Sequence, residues 1–327
     1  MTKPLPLRYI QIETTTRCNQ RCHFCPVSVS QRPKAVLSLE KVQQIIQGIS
    51  EYPLEAVYLN GFNEPTYDKQ LLDKVQSLRA AGLPLHLNSN GSGLTQTLTD
   101  GLLAAGVAGF TLNLSTLDAE RYLATRGSRD LPNVIQHLEY LLAHKGAAQV
   151  NMLVLGQLDA VHAQDIQAIQ THFAPLGATL VICPIADFAA GATQVLKRRL
   201  YHTQLRGCIG QRHRHWLHFT PSAHAILCCQ DYAQQYPVGD LHTQTPTEIY
   251  QSETFAQLRR WVEGEEPAPE DFICRTCVFA LGSESYAEKT RQFFCAHCQL
   301  PAQLGNLAAS CHQCVVYSHT QTPDTAA

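Results

Sequence analysis

Apolar residues recur along the first two-thirds of the chain in two alternating patterns. Short runs at 9–14, 56–60, 84–89, 109–115, 149–155 and 179–183 are dense in Val, Ile, Leu, Tyr and Phe, the signature of buried strands. Between them the spacing changes to that of one helical face. Leu39, Val42, Ile45, Ile46 and Ile49 form a single stripe behind Ser38, a residue suited to capping a helix N-terminus. Leu71, Leu72, Val75 and Leu78 repeat the spacing and stop before Gly82, where a helix can end. Leu98, Leu102 and Leu103 precede Gly106; Val134, Leu138, Leu141 and Leu142 precede Gly146; Ile166, Ile169 and Phe173 mark the helix before the sixth strand. Strict alternation of strand and helix predicts a parallel sheet with right-handed crossovers. Six units fall short of the eight that close a full barrel, so the expectation is an α/β fold built as a partial (β/α)6 barrel. In such folds the loops after the strand C-termini carry the chemistry.

Past residue 200 the alternation ends. Short strands are expected at 216–220 and 225–228, then a helix carrying Ile249, Phe255, Leu258 and Trp261, then an acidic, proline-bearing loop at 263–270. His213, His215 and His218 alternate as on a hairpin, either as its wet face or as a contact for an acidic peptide. The expected divisions are a core at 1–195, a second domain at 196–285, and a small tail at 286–327 with a disordered end from 320.

Composition narrows what this fold can serve. The 327 residues are 45% hydrophobic and 16% charged, as in an ordinary globular protein. A formal net charge of −2 leaves no electrostatic footprint for nucleic acid or an anionic membrane surface. No apolar run approaches the roughly 20 residues of a spanning helix. Residues 1–6 hold no signal-peptide core, so the cytoplasm is the expected compartment.

Thirteen cysteines are the outlying number. They are odd in count and fall in close groups, which favours metal or cluster ligation over disulfides. Cys18, Cys22 and Cys25 directly follow the first predicted strand. Three thiolates suit a cubane [4Fe–4S] cluster with one iron left open. The alternative, structural zinc, takes four ligands, and this trio lacks its fourth.

The Cys18-x3-Cys22-x2-Cys25 spacing, with Phe24 before the last cysteine, resembles the radical S-adenosylmethionine (SAM) superfamily. The resemblance covers about residues 8–190. It continues through Asn60-Gly61-Phe62-Asn63-Glu64-Pro65, similar to a Gly-Gly-Glu-Pro stretch with Asn63 where a glycine is usual. Ser89-Asn90-Gly91 and Asn113-Leu114-Ser115 follow, the latter leading into a helix with Asp118, Tyr122 and Arg126. The resemblance implies that Cys18, Cys22 and Cys25 hold a [4Fe–4S] cluster whose open iron chelates SAM. It also implies SAM contacts from Asn60, Gly61, Glu64, Asn90, Asn113 and Ser115. The implied activity is cleavage of SAM to a 5′-deoxyadenosyl radical that abstracts hydrogen from a substrate, with flavodoxin or ferredoxin as reductant.

Cys208, the Cys228-Cys229-Gln230-Asp231-Tyr232 run and Cys274-x2-Cys277 resemble the SPASM and twitch domains that carry auxiliary clusters. This implies Cys208, Cys228, Cys274 and Cys277 as ligands of one auxiliary [4Fe–4S] cluster. Two adjacent cysteines cannot comfortably serve one small cluster, so one of Cys228 and Cys229 is left free. A free thiol is either an inert small hydrophobe or, beside a radical, a hydrogen-atom donor, as in the peptide epimerases of the superfamily; Cys229 is the candidate. Cys295-x2-Cys298 and Cys311-x2-Cys314 have zinc-ribbon spacing and predict a four-thiolate zinc site, with a further iron–sulfur cluster as the competing idea. Cys183 is expected to be buried and inert.

By the same resemblance the substrate is a ribosomally made peptide and the reaction Cα epimerisation, with backbone excision or cross-linking close behind. Alcohol dehydrogenation of a small molecule is the other enzymatic reading, and a zinc-dependent binding module the non-enzymatic one. A separate leader-binding partner is a further expectation.

Overall fold

A computed structural model describes residues 7–186, 189, 193, 201–282, 298–300 and 303. Cys295, Cys311, Cys314 and 320–327 lie outside the described residues, and the zinc-ribbon expectation with them.

Six strands pair in parallel in chain order: β1 (Tyr9–Ile12), β2 (Ala56–Leu59), β3 (Leu85–Ser89), β4 (Gly109–Asn113), β5 (Gln149–Gly156) and β6 (Thr179–Pro184). They alternate with α1 (Leu39–Ile49), α2 (Leu71–Ala80), α3 (Gln96–Ala104), α4 (Ala119–Arg126), α5 (Leu131–His144) and α6 (Ala160–Phe173). The extra helix, α4, comes directly before α5 in the β4–β5 crossover. Side-chain caps start the helices: the Ser38 hydroxyl accepts the Lys41 N–H at 3.2 Å, and the Asp118 carboxylate accepts the Arg121 N–H at 2.8 Å.

The two faces of the sheet differ in chemistry. In register, Val57 meets Leu85, Leu59 meets Leu87, Leu87 meets Phe110 and Leu112 meets Met152. All of these are buried against helix stripes such as Val42–Ile45–Ile49 and Leu138–Leu141. Burying each such side chain stabilises the fold by about 1.5–3 kcal/mol. The opposite face carries Tyr58, His86, Asn88, Thr111, Asn113 and Asn151, all half-buried. A period-2 strand separates these sets cleanly, so the polar face lines a hollow while the apolar face holds the helices.

The second part does not form its own sheet. β7 (Trp216–Phe219) lies parallel to β1, with Tyr9 opposite Trp216 and Ile12 opposite Phe219. β8 (His224–Ile226) and β9 (Pro237–Asp240) then add antiparallel, giving one sheet in the order β6-β5-β4-β3-β2-β1-β7-β8-β9. This corrects the reading of the histidine run. His213 and His215 sit in a short helix, Arg212–His215, and His213 is buried against Glu263. His218 is buried because β7 lies between two strands; burial and nearby Arg212 lower its pKa to about 3. Neither is a wet face nor open to an acidic peptide. No helix among the described residues is long and apolar enough to cross a membrane.

Candidate active site

The loop after β1 is held on both sides by backbone hydrogen bonds. The Arg21 N–H donates to Arg126 O at 2.9 Å, the His23 N–H to Thr125 O at 3.1 Å and the Glu64 N–H to Arg17 O at 2.9 Å. These bonds tie the cysteine loop to the end of α4 and to the loop after β2. Gly127, at φ 63°, turns the chain where α4 ends beside Arg21. Cys18, Cys22 and Cys25 then line a cavity of about 180 Å³. Asn60, Gly61, Phe62, Asn63 and Glu64 rim it, and Asn88, Asn90, Thr111, Asn113 and Leu153 complete it from the sheet.

Burial raises the thiol pKa of Cys18 and Cys25 to about 12. Buried thiols of this kind become thiolates when a metal supplies positive charge. No fourth cysteine lines the cavity among the described residues. The donor set therefore fits an iron–sulfur cluster with one position left over. Among the described residues no three His, Cys, Asp or Glu side chains converge closely enough to hold a single metal ion.

Two charged groups organise the cavity walls. Arg126 is only 2% exposed. One of its terminal nitrogens faces Cys22 Sγ at 3.6 Å, while the other donates to Asn113 Oδ1 and Ser115 Oγ, each at 2.8 Å. Its guanidinium also lies 5.0 Å from the centre of the Phe24 ring. Glu64 is 1% exposed. Its Oε1 accepts the Thr66 N–H at 3.2 Å, the Thr66 hydroxyl at 2.7 Å and the Ser89 hydroxyl at 2.7 Å; its Oε2 accepts the Asn90 N–H at 2.6 Å. Glu64 thus ties the loops after β2 and β3 together. Gly93 lets them close, since a Cβ there would stand 2.2 Å from Thr66 Oγ1. The free hydrogen-bonding capacity lies elsewhere: Asn60 Oδ1, Asn88 Oδ1 and both polar atoms of the Asn63 amide are buried without a partner.

Of the sequence-predicted SAM contacts, Asn60, Gly61, Glu64, Asn90 and Asn113 line the cavity. Ser115 stands behind it, bonded to Arg126. In the sequence Arg126 shows only as part of a helix. Its link to Cys22 spans 104 positions, which no local motif displays.

The structure encloses a second set, Cys208, Cys228, Cys274 and Cys277, around a cavity of about 20 Å³ that Arg212 and His213 also line. The Gln230 N–H points at Cys228 Sγ (3.5 Å) and the Phe279 N–H at Cys277 Sγ (3.4 Å). Cys229 stands outside this ring, its sulfur 4.0 Å from that of Cys228 and 3.9 Å from Gln230 Nε2. Cys183 is half-buried and packs on the apolar patch of Cys22, Phe24, Leu155 and Ile185. Tyr232, three residues after Cys229, belongs to the apolar cluster against which Cys18 and Cys25 pack. Its ring meets Phe62 edge-on at 5.2 Å, lies 4.5 Å from the Arg32 guanidinium, and its hydroxyl donates to Ser30 O at 2.5 Å.

Known proteins resemble this arrangement. Residues 12–165 match the radical SAM superfamily, and residues 208–278 match the iron–sulfur cluster-binding domain called SPASM. A GTP 3′,8-cyclase of Synechococcus elongatus is 34% identical over 165 residues, 48% of this chain and 50% of that protein. The chain thus spans about half the length of the curated relatives it matches. Among solved structures, Streptococcus suis SuiB bound to its precursor peptide SuiA matches with a TM-score of 0.66 at 11% identity, covering 83% of this chain and 76% of that one. anSMEcpe with bound AdoMet and the Cp18Cys peptide matches at 0.59 and 13% identity, covering 92% and 98%.

Proposed function

Residues 12–165 carry a radical SAM domain and residues 208–278 a SPASM domain, and from that premise we propose that the chain is a radical SAM enzyme that modifies a ribosomally made peptide, by Cα epimerisation. The observation that carries the peptide reading is the neutrality of the cavity. Arg126 is the one cationic side chain lining it among the described residues, and it is committed to Cys22, Asn113 and Ser115. A triphosphate substrate, as in a GTP 3′,8-cyclase, needs cationic forks for its oxygens. What this cavity offers instead, beyond the residues given to cluster and SAM, is the unpaired carboxamide oxygen of Asn88, which suits an amide N–H donor. The peptide-bound SuiB and anSMEcpe structures share the fold and support the same reading.

Cys18, Cys22 and Cys25 would hold the first [4Fe–4S] cluster, with SAM among Asn60, Gly61, Asn63, Asn90 and Asn113. When bound, cluster and SAM supply radical hydrogen abstraction, started by one-electron reductive cleavage of SAM. Arg126 keeps a positive charge against Cys22, and Phe24, Phe62 and Leu153 keep water from the reacting centre. Cys208, Cys228, Cys274 and Cys277 would hold the auxiliary cluster.

Cys229, outside that ring, returns hydrogen to the substrate. Its S–H bond breaks as a C–H bond forms on the face opposite the abstraction. The sulfur radical left behind regains an electron and a proton from a flavodoxin- or ferredoxin-type reductant. A structural zinc at Cys295, Cys298, Cys311 and Cys314 completes the proposal, and metal analysis of the full chain should find it beside the iron.

The test is anaerobic turnover of candidate peptides in deuterated water. Epimerisation adds one mass unit and inverts one residue, and Cys229→Ala removes the deuterium while SAM is still cleaved. Loss of two mass units would instead mean oxidation or cross-linking, and a larger loss excision. Turnover of GTP with peptides untouched would overturn the substrate class.

A further inference from the structure

A cation taken out of water needs a counter-charge, because the loss of hydration is not otherwise offset. Arg212 lines the small cavity enclosed by Cys208, Cys228, Cys274 and Cys277, and no carboxylate lines it beside them. The other basic residue there, His213, is paired with Glu263. Arg212 has no such partner. Its Nη1 is buried without a hydrogen bond, and its guanidinium carbon lies 4.8 Å from the centre of the Phe279 ring. What surrounds its charge is sulfur: burial works to lower its pKa, while Cys229, Cys228, Cys208 and Cys277 raise it, with a net shift upward. Local backbone is strained to put it there. Gln211, directly before Arg212, adopts the left-handed region at φ 44°, which is unfavourable for a residue with a Cβ. The Gln211 N–H donates to Cys208 O at 2.9 Å, so this turn starts at a cysteine of the ring. Gly210 leaves room for it, since a Cβ there would stand 3.3 Å from the Arg212 guanidinium carbon.

The four thiols fit a four-ligand iron–sulfur cluster, and the Gln230 and Phe279 N–H groups already point at two of their sulfurs. Four thiolates outweigh the positive charge of such a core, and an electron that enters makes it more negative still. Net charge and hydrogen bonds to the sulfurs are what set these potentials. A fixed cation with an unused N–H beside the ring therefore stabilises the reduced cluster more than the oxidised one. Resting on the reading of this ring as the auxiliary cluster site, we infer that Arg212 is the built-in counter-cation of that cluster and holds its reduction potential up. Its unpaired Nη1 N–H supplies the hydrogen bond to cluster sulfur. One electron enters the cluster and no bond breaks. Arg212 acts through the cluster and not on the substrate.

The test uses the full chain carrying Cys18→Ala, Cys22→Ala and Cys25→Ala together, loaded anaerobically with iron and sulfide so that the first cluster is absent. Dithionite titration followed by electron paramagnetic resonance reads the midpoint potential of the auxiliary cluster, and Cys208→Ala should abolish that signal. Arg212→Gln keeps an N–H donor and loses the charge; Arg212→Met loses both. The equilibrium constant for one-electron reduction should fall about tenfold in Arg212→Gln and further in Arg212→Met, each tenfold being about 59 mV downward. Arg212→Lys, which keeps the charge, should stay closer to native than either. An unchanged or raised potential in whichever of Arg212→Gln and Arg212→Met retains its iron overturns the inference. So does loss of iron from both, which would make Arg212 a structural part of the ring. Should the signal be absent from the start, or survive Cys208→Ala, the reading of this ring as a cluster site fails first, a result distinct from either.

Discussion

At the scale of single residues, the most consequential side chain is Arg126. Its planar fork reaches Cys22, Asn113 and Ser115 together, which a lysine ammonium on a flexible stem cannot reproduce. Arg126→Lys should leave at least one of those buried acceptors unpaired and destabilise the protein by about 1–3 kcal/mol. Thermal unfolding reads that loss, and iron content after reconstitution should fall with it. A second residue gives a pH signature. His162 is buried on α6, its Nδ1 accepting the Leu158 N–H at 3.2 Å and its Nε2 facing Val154 O at 3.3 Å. Burial lowers its pKa, opposed by the Val154 carbonyl and by Asp159 and Asp165. The neutral ring is thus favoured in the fold. Below its ordinary value of 6.5 the unfolded chain takes up a proton that the folded chain refuses. The contribution is complete above that pH and is lost as pH falls toward the lowered folded pKa. Denaturant titrations of native and His162→Gln protein should differ by a slope confined to that window. The cysteine trio was legible in the sequence because cluster ligands can sit within one loop. Arg126 and the orphaned Asn63 amide were not, because partners and their absence are properties of the folded state.

At the scale of elements, the loop after β2 is braced by a buried ion pair. Lys74 on α2 reaches Asp68 with both side chains essentially inaccessible, and Asp68 also caps the Gln70 N–H at 3.0 Å. Removing one partner from a buried pair costs about 3–5 kcal/mol, because the other charge is stranded. Lys74→Met should show that loss in urea unfolding, and adding Asp68→Asn should recover part of it; equal stability of native and single variant would show the pair to be dispensable. This brace fixes the turn that follows Glu64. The strands and helices of the core were readable because periods of 2 and 3.6 residues survive in any well-buried element. Their ends were less so: the first strand stops at Ile12 and the fourth at Asn113, short of the expected 14 and 115. In both cases the chain leaves the sheet to reach the site, and polar residues used for chemistry obscure the boundary.

For the whole molecule, the feature that no local pattern could show is continuity between the two parts. A hairpin was expected after residue 215, but its docking beside β1 depends on pairing residues about two hundred positions apart. The same continuity appears at the site, where Tyr232 packs on Phe62, covers the Arg32 guanidinium, and through it touches the buried Glu13–Arg32 pair. Phe62 lines the cysteine cavity and Tyr232 does not. Tyr232 also belongs, with Val27, to the apolar cluster against which Cys18, Cys25 and Phe62 pack, so loss of its ring should be felt at the cysteine site. Aromatic pairing and cation–π contact together contribute about 1–3 kcal/mol at a desolvated site. Tyr232→Leu should consequently lower stability by that amount and weaken SAM binding by roughly three- to tenfold, because Phe62 loses its backing. Tyr232→Phe keeps the ring and removes the hydroxyl's bonds to Ser30 O and Arg32, and should stay near native in SAM affinity. If leucine lowers stability but leaves SAM binding untouched, the two cysteine sites share a sheet without sharing a mechanical link. If both quantities fall together, the auxiliary part is a working wall of the SAM site.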